Sequence, residues 1–242
     1  MKKRLHTSIF GLMLMALVAC EKADPELLYG DILGYVTVYD QDQYMLEDLS
    51  DVVVKLQSNT LQTETMTNLS GEFAFLNIDY GNYSIYPEKE GFVRSMGEDD
   101  PVHHLGGYSP TRISCSLNEI PRFGLEIDSA GIESGDISLW LSIIDWDGNP
   151  KHWYFFRCFF SGSPEVSKDA FDLHSQGWIF GQWILEGHYS AHLTNYALDN
   201  IDSDSIYLRI YPEALGQGIY AYNPESLGKA SKVLAVKHPS QE

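Results

Sequence analysis

The stretch "TNLSGEFAFLNIDYGNYSIYPEKEGF", Thr67 to Phe92, decides the fold. Phe73 and Phe75 stand two apart, and so do Tyr83 and Ile85, with polar residues between them. A period of two puts successive side chains on opposite faces of an extended chain, which is the mark of a half-buried strand. Asn68, Ser70, Gly71 and Gly81 interrupt the alternation where turns are needed.

The same period recurs on either side. Asp31–Asp40 reads as a strand, and Asp51–Gln57 places Val52, Val54 and Leu56 on one face. Gln62–Thr67 alternates but is polar, as an edge strand would be. Glu72–Ile78, Asn82–Glu88 and Arg112–Leu117 follow, the last aligning Ile113, Cys115 and Leu117. Short turns between such strands predict an antiparallel sandwich around one core. Leu117–Asp136 reads as a crossover, after which the composition shifts: all five tryptophans lie between Trp140 and Trp183. Ile137–Trp146 and Lys151–Phe160 flank "DGNP" and read as a hairpin. One or two strands are expected in Gly177–Leu198, with others at Ser205–Pro212 and Lys232–His238. The expected fold class is all-β, two tandem antiparallel β-sandwiches, at 30–118 and 136–242 with a crossover at 119–135.

The amino terminus reads as an address. Lys2, Lys3 and Arg4 precede an apolar run from Ile9 to Val18. That run is shorter than the roughly 20 apolar residues a membrane span needs. Leu17-Val18-Ala19-Cys20 resembles the bacterial lipobox, in which the cysteine thiol takes a diacylglyceryl group and cleavage leaves it as the new terminus. Residues 1–19 would then be a signal peptide and 20–29 a tether, with the membrane as partner through acyl chains on Cys20. The acidic "EKADPE", Glu21 to Glu26, resembles the export tag of surface lipoproteins, so the expected location is the outer membrane, facing outward.

A resemblance rests on Gly34-x-Val36, Val52-x-Val54-x-Leu56, Thr65-x-Thr67, Gly71-x-Phe73-x-Phe75, Gly81-x-Tyr83-x-Ile85 and Gly91-Phe92. Together they look like the carboxypeptidase regulatory-like domain, a transthyretin-like (prealbumin-like) sandwich, over Gly30–Leu117. The resemblance implies a spacer or platform, since this module carries no catalytic residues of the peptidases it accompanies. The closing forty residues resemble, more loosely, the last strands of fibronectin-III-like or immunoglobulin-like domains. That implies an extracellular accessory architecture.

Charge and motifs narrow the chemistry. The formal charge is −18, and loss of Lys2, Lys3 and Arg4 takes it to −21. No cluster of Lys or Arg is available to bind a phosphate backbone, so nucleic acid is excluded as a partner. No histidine begins a His-x-x-Glu, and neither Gly-x-Ser-x-Gly nor a phosphate loop occurs. No catalytic residue, metal or cofactor is assigned. His188 and His192 fall four apart on a predicted strand, ~13 Å along it, too far for one ion. Asp99, Asp100 and His103 form a loop cluster, with His104 beside them. "DWDGN" explains itself as a turn, and "DNIDSDS", with Asp199, Asn200, Asp202 and Asp204, reads as another acidic loop. Cys115 and Cys158 read as two buried thiols in separate cores rather than a disulfide. Trp140, Trp153, Trp178 and Trp183 sit in apolar runs and are expected in the core. Trp146, at the rim of a polar turn, and Tyr220 and Tyr222 are the candidates to meet a ligand.

The expectation is therefore a non-enzymatic, lipid-anchored surface accessory protein. Its partner would be an unassigned protein or a glycan, as in a glycan-uptake system or a fimbria-associated adhesin. Replacing Cys20 with Ser should abolish acylation and release the chain from membranes, because no other apolar segment of the sequence is long enough to anchor it. Recovery of the Cys20→Ser protein in a salt-washed membrane fraction would count against the lipobox.

Overall fold

A computed structural model describes residues 29–95, 101–133, 136–144, 153–180, 188–193, 198–217 and 223–238. The protein is all-β, built from two sandwiches in tandem. The first holds β1 (Tyr29–Tyr39), β2 (Val53–Gln57), β3 (Gln62–Met66), β4 (Glu72–Asp79), β5 (Gly81–Glu88), β6 (Phe92–Arg94), β7 (Val102–His104) and β8 (Thr111–Glu119). One sheet runs β4-β1-β8-β6 and faces the other, β3-β2-β5-β7. As its polar alternation predicts, β3 is an edge strand.

The deciding stretch forms β4 and β5, and these belong to opposite sheets. Tyr80 alone separates them. The corner carries the chain from one layer to the other, so Phe73 and Phe75 face Tyr83 and Ile85 across a shared core with Val36, Val52, Val54, Leu56 and Leu117. The preceding turn is held by Asn68, whose Oδ1 accepts from the backbone N–H of Ser70 (3.0 Å) and Glu72 (2.9 Å). Gly71 follows with φ of 79°, where any side chain would collide with the Val36 carbonyl. The strands are not all antiparallel: β1 and β8 run parallel, in register from Ile32↔Thr111 to Tyr39↔Asn118. Repeated crossings between the layers bring the chain back to the first sheet in its original direction.

The second sandwich holds β9 (Gly124–Glu133), β10 (Asp136–Ile144), β11 (Trp153–Ser161), β12 (Leu173–Phe180), β13 (His188–Leu193), β14 (Ser205–Glu213) and β15 (Leu234–Lys237). Two sequence expectations change here. Gly124–Glu133, read as crossover, is strand β9 and pairs with β10 along its length. Its apolar residues, Leu125, Ile127, Ala130 and Ile132, change parity at a bulge between Ile127 and Ser129, which hides the period. The expected hairpin of β10 with β11 does not form: β10 lies in the sheet β13-β10-β9 and β11 in β12-β11-β14-β15. Alternating apolar residues are satisfied by facing another strand across a core as well as by pairing beside it. The "DGNP" turn itself lies outside the described residues.

The core between these sheets contains Leu139, Leu141, Tyr154, Phe156, Cys158, Phe160, Ile179, Leu208 and Ile210. Cys115 and Cys158 are buried thiols not joined in a disulfide, one in each sandwich, as expected. The run "WYFFRCFF" lacks alternation because β11 is covered on both faces. On the far side, Phe159 packs with Val166, Phe171, Tyr211 and Leu227. Buried beside them is Arg157, whose Nε and Nη2 donate to Glu213 Oε1 at 3.1 and 2.7 Å. Gln176 Nε2 donates to Glu213 Oε2 at 2.8 Å. Burial raises the Glu213 carboxyl above the usual range, against the opposing pull of Arg157.

The junction between sandwiches is short and bonded. Only Ile120–Phe123 separate β8 from β9. Arg122 N–H donates to Gln41 Oε1 (2.9 Å), and Gln217 Nε2 reaches the Arg94 carbonyl (3.1 Å).

Two substitutions test this packing. A methyl group at Gly34 would lie 2.5 Å from Phe73 Cζ and 2.7 Å from Ile113 Cγ1. Gly34→Ala should therefore destabilise the first sandwich by about 1–3 kcal/mol in urea titration. Arg157→Met leaves the Glu213 carboxylate buried without its cation and should cost about 3–5 kcal/mol, whereas Arg157→Met with Glu213→Leu should recover most of that loss. Equal losses in the single and double variants would show that the ion pair is not the cause.

Candidate functional site

The four residues singled out by sequence, Cys20, Trp146, Tyr220 and Tyr222, lie outside the described residues. So do Trp183, Asp99 and Asp100. His103 and His104 lie in β7 and point to opposite faces. His103 hydrogen-bonds Asn82, while buried His104 bonds Thr111 Oγ1 (2.7 Å) and the Ile78 carbonyl (3.2 Å). They cannot share an ion. His188 and His192 belong to strand β13, as expected. Among the described residues, no three His, Cys, Asp or Glu side chains are placed to hold a metal.

Two tryptophans expected in the core are on the surface. Trp140 is 47% exposed and Trp178 46%. Parity explains both. On β10 the inward residues are Ile137, Leu139, Leu141 and Ile143, so Trp140 shares the outer face with Ser138 and Ser142. On β12 the inward residue is Ile179, so Trp178 shares a face with His174 and Gln176. The two indoles project from opposite layers of the second sandwich and cannot hold one ligand.

Their surroundings differ. The layer bearing Trp178 is largely capped by the Phe159, Phe171 and Tyr211 cluster. Trp140 stands on the central strand of the three-stranded sheet, opposite Ser190 of β13 and Ser129 of β9. Gly131 lies alongside; a methyl there would be 3.9 Å from Trp140 Cζ3, so the indole leans over β9. Small neighbours on both sides leave about half of the residue open to solvent. Polar pairs flank it along β10. Ser138 Oγ lies 3.0 Å from His192 Nδ1. At the other side Ser142 Oγ lies 2.7 and 2.8 Å from the two carboxylate oxygens of Asp128, which the β9 bulge turns to this face.

Chemically, this is an aromatic floor with hydrogen-bonding groups at its edges. An indole offers a flat apolar surface. A carboxylate has about four acceptor positions, and serine hydroxyls both donate and accept. A ligand with an apolar face and a rim of hydroxyls is matched by that layout. Sequence reading missed Trp140, although Ser138 and Ser142 at the same parity mark an outer face.

No protein-family model and no curated protein matches the chain. Solved structures give weak likenesses. A DUF3823 family protein from Parabacteroides merdae is similar over 86% of this chain and 98% of its own, at 12% identity and a TM-score of 0.34. The major pilin SpaD from Corynebacterium diphtheriae is similar over 89% of this chain and 67% of its own, at 9% identity and a TM-score of 0.34. BcpA, the major pilin subunit of Bacillus cereus, is similar over 86% and 69%, at 12% identity and a TM-score of 0.33. The functional reading rests on geometry.

Half-exposed Trp140 should be dispensable for folding. Trp140→Ala should change unfolding free energy by no more than about 1 kcal/mol. Its inward neighbour behaves otherwise: Leu139→Ala should cost about 2–5 kcal/mol. Parallel urea curves for the two variants check the assigned parity of β10.

Proposed function

We propose that this chain is a non-enzymatic, lipid-anchored accessory protein of the outer-membrane surface that binds glycan through the Trp140 face. In this reading Cys20 carries the acyl chains. The first sandwich, of carboxypeptidase regulatory-like type, is the spacer. The second, of fibronectin-III or immunoglobulin-like type, presents the binding face, and each sandwich is a domain with its own core.

The observation that carries the reading is the exposure of Trp140 between Ser129 and Ser190, with the Asp128–Ser142 and Ser138–His192 pairs beside it. A pyranose ring has one face of C–H groups and a periphery of hydroxyls. The C–H face stacks on the indole, and the hydroxyls exchange their water for Asp128, Ser142 and Ser138. A glycan needs no deep cavity for this, because a flat sheet can meet several residues of an extended chain. The high negative charge argues for neutral sugars, since uronic or sulfated chains would be repelled.

The test is a glycan array with the chain lacking residues 1–20, followed by calorimetry on the neutral oligosaccharides retained. Binding by wild type and its loss in Trp140→Ala is the expected result. Unchanged binding in Trp140→Ala would move the site elsewhere. Absence of any retained glycan would remove the sugar reading and leave a protein partner.

A further inference from the structure

One end of the first sandwich collects aromatic and aliphatic side chains that nothing in the described protein covers. β1 begins there at Tyr29, paired with Asp79 at the close of β4. Tyr80 forms the β4–β5 corner beside it. The segment after β7 returns to the same place, with Gly107 N–H donating to the Tyr29 carbonyl at 2.8 Å. Leu105 and Tyr108 flank that contact, and at 84% and 88% exposure they are the most exposed large apolar side chains among the described residues. Between Tyr29 and Tyr80 lies an open cleft of about 510 Å³, with Ser58, Asn59, Thr60 and Asn82 along its polar side.

This end is the one nearest Cys20. Nine peptide steps join Cys20 to Tyr29. Fully stretched, they span at most about 30 Å, and a relaxed chain of that length covers roughly half as much. The second sandwich leaves from the opposite end, because β8 runs parallel to β1 and delivers the chain past Glu119 to β9. An acylated Cys20 would therefore hold the Tyr29–Tyr80–Leu105–Tyr108 end at the bilayer and the Trp140 sandwich away from it.

We propose that this end is a membrane-resting surface: Tyr29, Tyr80, Leu105 and Tyr108 lie in the headgroup layer of the bilayer that holds the Cys20 acyl chains. The inference rests on the lipid-anchor reading and adds a posture to it. Tyrosine suits that depth, with a ring for the acyl boundary and a hydroxyl for the headgroups. The nearby charges are acidic, Asp31 and Asp79, apart from Arg112, so the matching surface is zwitterionic rather than anionic. Burial of the apolar side chains drives the contact, and the tether supplies the proximity that makes a small patch sufficient.

The experiment uses the full chain as processed by a bacterial host, in phosphatidylcholine vesicles. An environment-sensitive fluorophore is placed on Thr60→Cys, at the cleft, and in a separate protein on Glu225→Cys, at the junction with the second sandwich. Cys115 and Cys158 are buried and do not compete for the label. Vesicle flotation reads the anchor, and emission with quenching by a headgroup-nitroxide lipid reads the posture. The expected result is flotation, a blue-shifted and quenched probe at position 60, and an aqueous, unquenched probe at 225. In Tyr80→Ser/Leu105→Ser/Tyr108→Ser, the probe at 60 should return to aqueous emission while flotation persists. Flotation with an aqueous probe at 60 in the otherwise native chain overturns the resting surface and leaves the anchor standing. Equal shifts at 60 and 225 overturn it too, by showing a protein lying flat. Failure to float removes the anchor, and the surface with it.

Discussion

The structure depends on residues two apart in sequence meeting partners across a core rather than beside them in a sheet. Phe73 and Phe75 reach Tyr83 and Ile85 only because the chain turns at Tyr80 from one layer to the other. Gly34 then has to be bare, since Phe73 and Ile113 occupy the space its side chain would fill. The second sandwich obeys the same constraint when β10 and β11, adjacent in sequence, take opposite sheets. Each crossing commits the inward face of a strand and leaves the other face to solvent or to a covering loop. Trp140 is outside for that reason alone.

What the sequence made legible follows from this. Alternation located β2, β3, β4, β5 and β8, because each is half-buried and its two faces differ in polarity. It failed at β9, where the bulge before Ser129 changes the parity of the apolar residues. Partners were harder than strands. "DGNP" is a good turn signal, but a turn between sheets and a turn within one use similar residues, so the hairpin reading had no local contradiction.

The site was partly legible. Large aromatics in an apolar run suggest a core, and for Phe156 and Phe160 that is correct. For Trp140 the hydrophobicity of "ISLWLSII" outweighed its phase, although the two serines at matching positions identify the outer face. The flanking pairs were hidden for different reasons: Asp128 meets Ser142 because β9, read as a crossover, is a bulged strand beside β10, and Ser138 meets His192 from a strand 54 residues away. The buried Arg157–Glu213 pair was equally hidden, because a lone charge in an apolar strand gives no sign of a partner 56 residues away.

The brevity of Ile120–Phe123 has a mechanical meaning. Four residues, one of them Pro121, with Arg122 tied to Gln41 and Gln217 tied to Arg94, give the second sandwich little room to swing about the first. A flexible joint of many residues would spread the Trp140 face over a hemisphere of heights and orientations. With Cys20 acylated as proposed, its elevation would be set by the stacked length of folded protein and its heading by the bonded junction. Such a mast would convert tethering in two dimensions into a defined plane of encounter. Partners fixed at that elevation would meet the face at high local concentration, and those held lower or higher would meet it hardly at all.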